Sequence, residues 1–428
     1  MRPVVSGWPL TARGTGAVLL AAVCGFLAQR FGIAELAYVG ALLAIVVAVS
    51  AATLYLVPRS ARVSRSFSPD VAPVGTDVRV RLRVRTRSSL PSSEGRWRDR
   101  LPDGIDASPD ATAAGPAGVF PATASAVAGT EGAELVYSAR VMRRGIRTVG
   151  PLSVVSTDPF GFTRRRRSVG DGSPLVIVPE VVELGPLSDL PGDAGGSTRS
   201  VVDRLGQGAD NLIPRAYAPG DSMRRIHWRA SAHRDELMVR QEEQETTPEA
   251  VVVLDRGAPR WPVEAARAPG GDPGFEIAVS ACLSATALLV REGYLVTVID
   301  ADGAVLADPI EGGDGGGVEQ LAIALATVTA RRDLPLDALV RLFTGISAGP
   351  VVLVTGAIDD ADAAALAALP PHSTLPVLLT VAASETARAR AVDTGWRLGV
   401  IAPGADLASA WSDAVAATST RGRGRAVA

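Results

Sequence analysis

The stretch from Leu36 to Val57 carries no charged side chain, and it is long enough to cross a hydrocarbon core, which takes about 20 apolar residues. A chain holding such a run must bury it in lipid or inside protein. A second, shorter apolar stretch, 14–28, lies just upstream. It is not followed by a small-x-small cleavage site, because Phe26 stands where a small residue is required. Gln29, Arg30, Phe31 and Gly32 then form a turn-like junction between the two runs. The pattern predicts a helical hairpin over 1–62. Arg2 and Arg13 precede it and Arg59, Arg62 and Arg65 follow, whereas the connection holds only Arg30, offset by Glu35. The positive-inside rule therefore predicts a multi-pass cell-membrane protein with both flanks, and the soluble domains, on the cytoplasmic side.

The rest of the 428 residues suffices for two or three domains. Arg and Lys total 43 against 45 Asp and Glu, so no net basic field speaks for nucleic acid. Every basic side chain is Arg, a uniform bias of composition rather than a cluster built for phosphate. Cys24 and Cys282 lie too far apart in sequence for a CxxC metal pair, and two cysteines make no disulfide framework.

Residues 63–184 read as a small antiparallel β-sandwich. In the clearest strand, Val78, Val80, Leu82 and Val84 alternate with Arg79, Arg81, Arg83 and Arg85, the period of a half-buried strand with a solvated basic face. Strands are also expected over 134–141, 148–155 and 175–178, and a loose loop over the Ala/Gly/Pro-rich 107–132. Asp158 and Pro159 set a turn expected to bury Phe160 and Phe162. The run Arg164, Arg165, Arg166, Arg167 is expected to be an exposed loop, with a membrane-surface or partner contact as the other reading.

Two motifs carry a family resemblance. Arg143-Arg144-Gly145, Gly150-Pro151 and the Asp158-to-Phe162 turn look like the RRG-x-x-x-x-GP and DPFG signature of the domain of unknown function 58 family. In the segment 185–248, read as linker and signature, Arg215, Tyr217, Pro219, Gly220, Asp221, Arg224, Ile226, Trp228 and Ala232 match the hallmark R-x-Y-x-P-G-D-x-x-R-x-I-x-W-x-x-x-A-R. His233 replaces its last Arg. The residues also make local sense. Pro219-Gly220 is turn chemistry, Asp221 or Ser222 can cap the helix that follows, and Asp221 is spaced for an ion pair with Arg224 or Arg225. Ile226 and Ala230 would form the buried stripe, with His227 and Trp228 packed at its edge. The segment is either a binding surface built on Arg215, Tyr217, Pro219, Gly220, Asp221, Arg225, His227 and Trp228, or a structural clasp between domains formed by the same residues.

Over 249–418 apolar strands alternate with helices, the pattern of a doubly wound parallel α/β sheet. The resemblance implies a von Willebrand factor A-like domain here. Domains of that kind hold a divalent cation with Asp-x-Ser-x-Ser after the first strand. This chain has Asp255, then Gly257 and Pro259 where hydroxyls belong, with Arg256 as a competing charge. A hard cation needs several oxygen ligands, so neither a metal site nor any other cofactor is expected. Asp300 and Asp302 read as a turn, and 419–428 as a disordered tail.

The resemblance implies a membrane-anchored scaffold or adaptor working with a MoxR-type AAA+ ATPase in envelope or complex maturation. The alternative is a hydrolytic enzyme using Asp221 with His227 or His233. Against it, no Ser or Cys sits in a recognisable nucleophile elbow. An extracellular adhesin is disfavoured by the Arg topology.

Overall fold

Thr11 starts the chain's first helix by accepting the backbone N–H of Gly14 at 3.1 Å, and Gly32, at φ 71°, ends it in the left-handed region that Gly adopts without strain. The computed structural model describes residues 8–56, 60–87, 95–110, 114–120, 131–187, 212–216, 226, 228–234, 236–242, 248–331, 336–343 and 348–416. Helix α1 (Ala12–Phe31) and helix α2 (Ala34–Tyr55) are both long and apolar enough to cross a membrane. The shorter upstream run thus extends to a full 20-residue helix. At Gly40 a Cβ would stand 2.9 Å from the carbonyl oxygen of Ala21, so the missing side chain is what lets the two backbones approach.

Eleven strands follow: β1 (Ser60–Ser68), β2 (Val71–Pro73), β3 (Asp77–Arg87), β4 (Gly95–Asp99), β5 (Ile105–Ala107), β6 (Ala117–Phe120), β7 (Glu131–Val141), β8 (Gly145–Val149), β9 (Leu152–Thr157), β10 (Arg164–Val169) and β11 (Ser173–Val178). They form sheets of order β1-β3-β7-β5, β10-β9-β4-β6 and β2-β11-β8. The alternation in β3 holds: Val78, Val80, Leu82 and Val84 are buried, while Arg79, Arg81, Arg83 and Arg85 are exposed. One core joins them to Trp97, Leu135, Tyr137, Leu152, Leu175 and Ile177. Within it lies a buried polar group. Arg65 donates to both oxygens of Asp99 at 2.7 and 3.0 Å, and the Tyr137 hydroxyl donates to Asp99 at 2.8 Å. Burial, then the charge of Asp99, pushes the Tyr137 phenol far above its ordinary range. Arg65, counted above as a flanking charge, is therefore a core residue.

Several expectations need correction. β2 and β11 pair in parallel, so the arrangement is not wholly antiparallel. The stretch 148–155 is two strands, because Gly150 and Pro151 turn the chain between β8 and β9. The expected loop 107–132 contains β6, which pairs with β4; its residues 111–113 and 121–130 lie outside the described residues. The four-Arg run is a strand, not a loop, held antiparallel against β9. Phe160 is 58% exposed; the turn buries Asp158 and Thr163 instead.

Downstream come β12 (Leu212–Ala216), α3 (Trp228–Arg234), β13 (Met238–Glu242), β14 (Glu249–Leu254), α4 (Val263–Arg267), α5 (Pro273–Arg291), β15 (Leu295–Asp300), β16 (Val305–Ile310), α6 (Gly315–Leu325), α7 (Leu336–Phe343), β17 (Ala348–Ile358), α8 (Asp360–Leu366), β18 (Ser373–Ala383), α9 (Glu385–Thr394), β19 (Arg397–Val400) and α10 (Leu407–Ala416). Helix α5 also has the length and apolarity of a membrane span, but most of it is buried within protein, as a core helix is.

The chain forms two compact units that interleave in sequence. One comprises 1–181, 261–283 and 319–333; the other comprises 182–260, 284–318 and 334–428. In the second, β12 pairs with β13, and a six-stranded sheet has the order β16-β15-β14-β17-β18-β19. Its strands are parallel except β16, which runs antiparallel at the edge. That edge position suits Pro309, which has no N–H for a neighbour. Val253, Leu353, Leu378, Leu339, Leu366 and Trp396 belong to one core there. Helix α8 starts with a reciprocal capping box between Asp359 and Asp362.

Candidate functional site

In an open parallel sheet, connections leave in opposite directions where the strand order reverses, and the carboxyl ends of the strands at that point frame a crevice. Here the reversal falls between β14 and β17. Asp255 follows β14 directly and is fully buried, as is Thr355 in β17. The Asp255 carboxylate accepts from Thr355 Oγ1 at 2.6 Å, from the Gly257 backbone N–H at 2.9 Å and from Arg260 Nη2 at 2.7 Å. Arg260 Nε donates to its other oxygen, completing a bidentate fork. The short 3-10 turn Ala258–Arg260 brings that guanidinium back over the carboxylate. Burial pulls the Arg260 pKa down, but the hydrogen bond and charge of Asp255 outweigh it, and the net shift is upward.

Two further carboxylates border this pair. Arg256 Nη1 lies 3.5 Å from Asp300 Oδ2, and Arg260 Nη1 lies 3.7 Å from Asp362 Oδ1. Burial pushes the Asp362 carboxyl upward, partly opposed by the Asp359 N–H and by Arg260. The turn expected after β15 is present: Asp302 Oδ1 accepts from Ala304 N at 2.9 Å, and Asp300 Oδ1 from Ala301 N at 2.7 Å. Asp255 is thus engaged by an internal cation, a hydroxyl and a backbone amide. That set neutralises its charge without the ring of oxygen ligands a hard cation requires. Arg256 had been noticed in the sequence as a competing charge, but Arg260 had not. The available signal was an Arg five residues after the Asp, with Gly257 and Pro259 between to turn the chain.

The hallmark segment is described in part. Tyr217, Pro219, Gly220, Asp221, Arg225 and His227 lie outside the described residues, and Arg215 is placed only as part of β12. Ile226 is buried, as the stripe requires. Trp228 opens α3 and is 69% exposed, so it does not pack at the edge of a buried stripe. Helix α3 has seven residues, and Ser231 Oγ accepts from Met238 N at 2.9 Å, one turn beyond the Trp. His233, the other partner considered for Asp221, is exposed.

The RRG motif has a role that sequence reasoning missed. Arg144 is fully buried in the first unit. Its Nε and Nη2 donate to the two carboxylate oxygens of Glu276 at 2.8 and 2.7 Å, Nη2 also reaches the Val328 carbonyl at 2.9 Å, and Nη1 donates to the Leu325 carbonyl. The Phe275 ring lies 5.9 Å from the guanidinium carbon.

An apolar helix pair, a layered β region and a six-stranded α/β sheet with a closed switch point define a multi-domain protein of anchor-plus-module build. Residues 214–369 match the sequence model described as "Protein of unknown function DUF58", so this segment is similar to the domain of unknown function 58 family. No curated protein matches the chain. Among solved structures, similarity is found to the CARDB domain of a Pyrococcus furiosus protein in complex with di-metal ions, at 9% identity, covering 28% of this chain and 89% of that one, with a TM-score of 0.16. A cohesin module from a Clostridium perfringens family 33 glycoside hydrolase is also similar, at 10% identity, covering 29% of this chain and all of that one, with a TM-score of 0.19. At such TM-scores neither likeness bears on fold or function.

Proposed function

We propose that this chain is a membrane-anchored adaptor whose α/β unit, organised like a von Willebrand factor A domain, binds a protein partner. The observation that carries this reading is Trp228, a large aromatic 69% exposed on the hallmark helix. Exposed Trp is the side chain most often found at the energetic centre of an interface. Asp255 supports an interaction role over metal-dependent chemistry, because its carboxylate is already engaged by Arg260, Thr355 and Gly257. The partner implied by the family resemblance is a MoxR-type AAA+ ATPase. Cross-linking and pull-down from membranes, with the native chain and Trp228→Ala, tests the reading. The variant is expected to melt with the parent, within about 0.5 kcal/mol as for most surface changes, and to recover at least about tenfold less partner. Recovery equal to the parent's would overturn Trp228 as the contact, and a large loss of stability would restore the clasp.

The anchoring half of the proposal places α1 and α2 across the membrane and the soluble units on the cytoplasmic side. Arg13 stands just inside the first turn of α1 and Arg62 follows α2, which is the expected charge asymmetry. The two helices form a hairpin, so their outer ends emerge on one side. A fluorescent protein fused after Ala428 is expected to be bright and an alkaline phosphatase fused there inactive. High phosphatase activity would reverse the topology.

A further inference from the structure

The four-Arg strand β10 is fastened to the outer ends of both apolar helices. The Arg164 backbone N–H donates to the Pro9 carbonyl at 2.8 Å, and Thr11 N donates to Phe162 O at 2.9 Å, just before α1 begins. At the end of α2, the Tyr55 hydroxyl donates to Arg164 O at 3.1 Å, and Arg165 Nη1 donates to Leu54 O at 2.7 Å with its guanidinium carbon 4.9 Å from the Tyr55 ring centre. Helix α1 has 20 residues, about 30 Å at 1.5 Å per residue, which matches a hydrocarbon core. Residues just beyond the outer helix ends then sit at headgroup depth. Because β10 alternates, Arg165 is spent on the helix ends while Arg164 and Arg166 are exposed on the other face, held through Nε by Trp8 O at 3.3 Å and Ser153 Oγ at 2.9 Å with their outer nitrogens turned to the exposed side. Arg13 is also exposed, beside the Gly161 turn. Trp8 is 64% exposed, and so, largely, is Phe160, the aromatic that the sequence had placed in the core. The acid of that turn, Asp158, points inward to the backbone N–H groups of Phe160 and Thr163.

We propose that Arg13, Arg164 and Arg166, flanked by Trp8 and Phe160, form a collar that binds the phosphate groups of anionic phospholipids in the leaflet next to the helix ends. This rests on the reading of α1 and α2 as membrane spans. The two aromatics have the amphipathic or apolar character that settles at an interface, and the three guanidinium groups match phosphate as fork donors. Continuity with the anchor makes lipid, rather than a soluble anion, the occupant: nothing else is held at this depth at comparable concentration. The collar would fix the β region against the membrane surface instead of leaving it on a free tether.

The test uses the full chain reconstituted in phosphatidylcholine bilayers doped with spin-labelled phosphatidylglycerol or spin-labelled phosphatidylcholine. The fraction of each label immobilised by the protein is read by electron paramagnetic resonance. Native protein is expected to prefer phosphatidylglycerol by at least about fivefold, the scale of one surface Arg, and the preference should shrink toward one in 1 M salt. Arg13→Gln, Arg164→Gln and Arg166→Gln together should abolish it. Arg79→Gln with Arg83→Gln, two exposed arginines on β3, should leave it intact. Equal immobilisation of the two lipids by native protein, or a preference that survives the collar variant, overturns the proposal. Sodium carbonate washing of the same membranes separates the underlying reading. Native and collar variant should both resist extraction, and release of the native chain would remove the anchor and the collar together.

Discussion

Arg144→Ala should lower the unfolding free energy of the chain by about 3–5 kcal/mol, the cost of leaving one partner of a buried pair uncompensated. Arg144 is wholly enclosed, and Glu276 retains only 25% side-chain exposure. Removing the guanidinium takes the counter-charge from this carboxylate, which keeps the Gly270 N–H at 3.0 Å, and deprives the Leu325 and Val328 carbonyls of a donor. Arg144→Lys should recover little of the loss, since an ammonium cannot donate to two carboxylate oxygens and two carbonyls in a planar fork. Glu276→Gln should be milder than Arg144→Ala, because it keeps one acceptor and the shape. Urea titration of the full chain in detergent, followed by far-UV circular dichroism, measures this. An Arg144→Ala midpoint within error of the parent would show that the contact is not made. The prediction also explains why the motif carries its second Arg: Arg143 could be exchanged on the surface, whereas Arg144 belongs to the core of the first unit.

What could be read from the sequence depended on how locally each feature is determined. The alternation in β3 and the apolar runs of α1, α2, β14 and β17 are set by residues within one or two turns or pleats. They appear in the structure close to where they were expected. The Arg164–Arg167 run had no apolar period to mark it as a strand. It is extended because its backbone pairs with β9 and its first two residues bond to helix ends more than a hundred positions upstream. Arg144 and Glu276 are separated by 132 residues, and no spacing rule links them. Phe160 was expected inside because the Asp158-Pro159 turn was read as folding it inward, yet the turn buries Asp158 and Thr163. Hydrogen bonds to the Thr163 and Phe160 amides hold the Asp158 carboxyl below its ordinary range, although burial alone would raise it. Asp255 could be singled out because it directly follows an apolar strand and is itself followed by Gly257 and Pro259. Its pairing with Arg260 was not legible, because that required knowing the fold of the 3-10 turn that returns the guanidinium.

The Asp255–Arg260 pair yields the second large effect. Asp255→Ala should cost about 3–5 kcal/mol by leaving the buried Arg260 guanidinium with the more distant Asp362 in place of its bidentate partner, and Arg260→Ala should cost a similar amount by taking the counter-charge from a carboxylate that keeps the Thr355 and Gly257 donors. In the double variant neither charge is left alone. The loss should therefore fall clearly short of the sum of the singles, with a coupling of up to about 3 kcal/mol expected for groups in direct contact. Thr355→Val, nearly the same shape, removes the hydroxyl 2.6 Å from Asp255 and should cost about 1.5–3 kcal/mol, as for a hydrogen bond to a charged group. Urea midpoints of the four chains, measured with and without millimolar magnesium, separate an internal ion pair from a metal site. If Arg260 supplies the positive charge, the cycle is strongly coupled and magnesium leaves the parent midpoint unchanged. Additive losses, or a parent midpoint that climbs with magnesium, would mean that Asp255 serves a cation after all. The adaptor reading would then have to yield to a cation-dependent one. The coupling thus bears on function as well as on stability, because a carboxylate committed to Arg260 cannot also be the group that recognises a partner through metal.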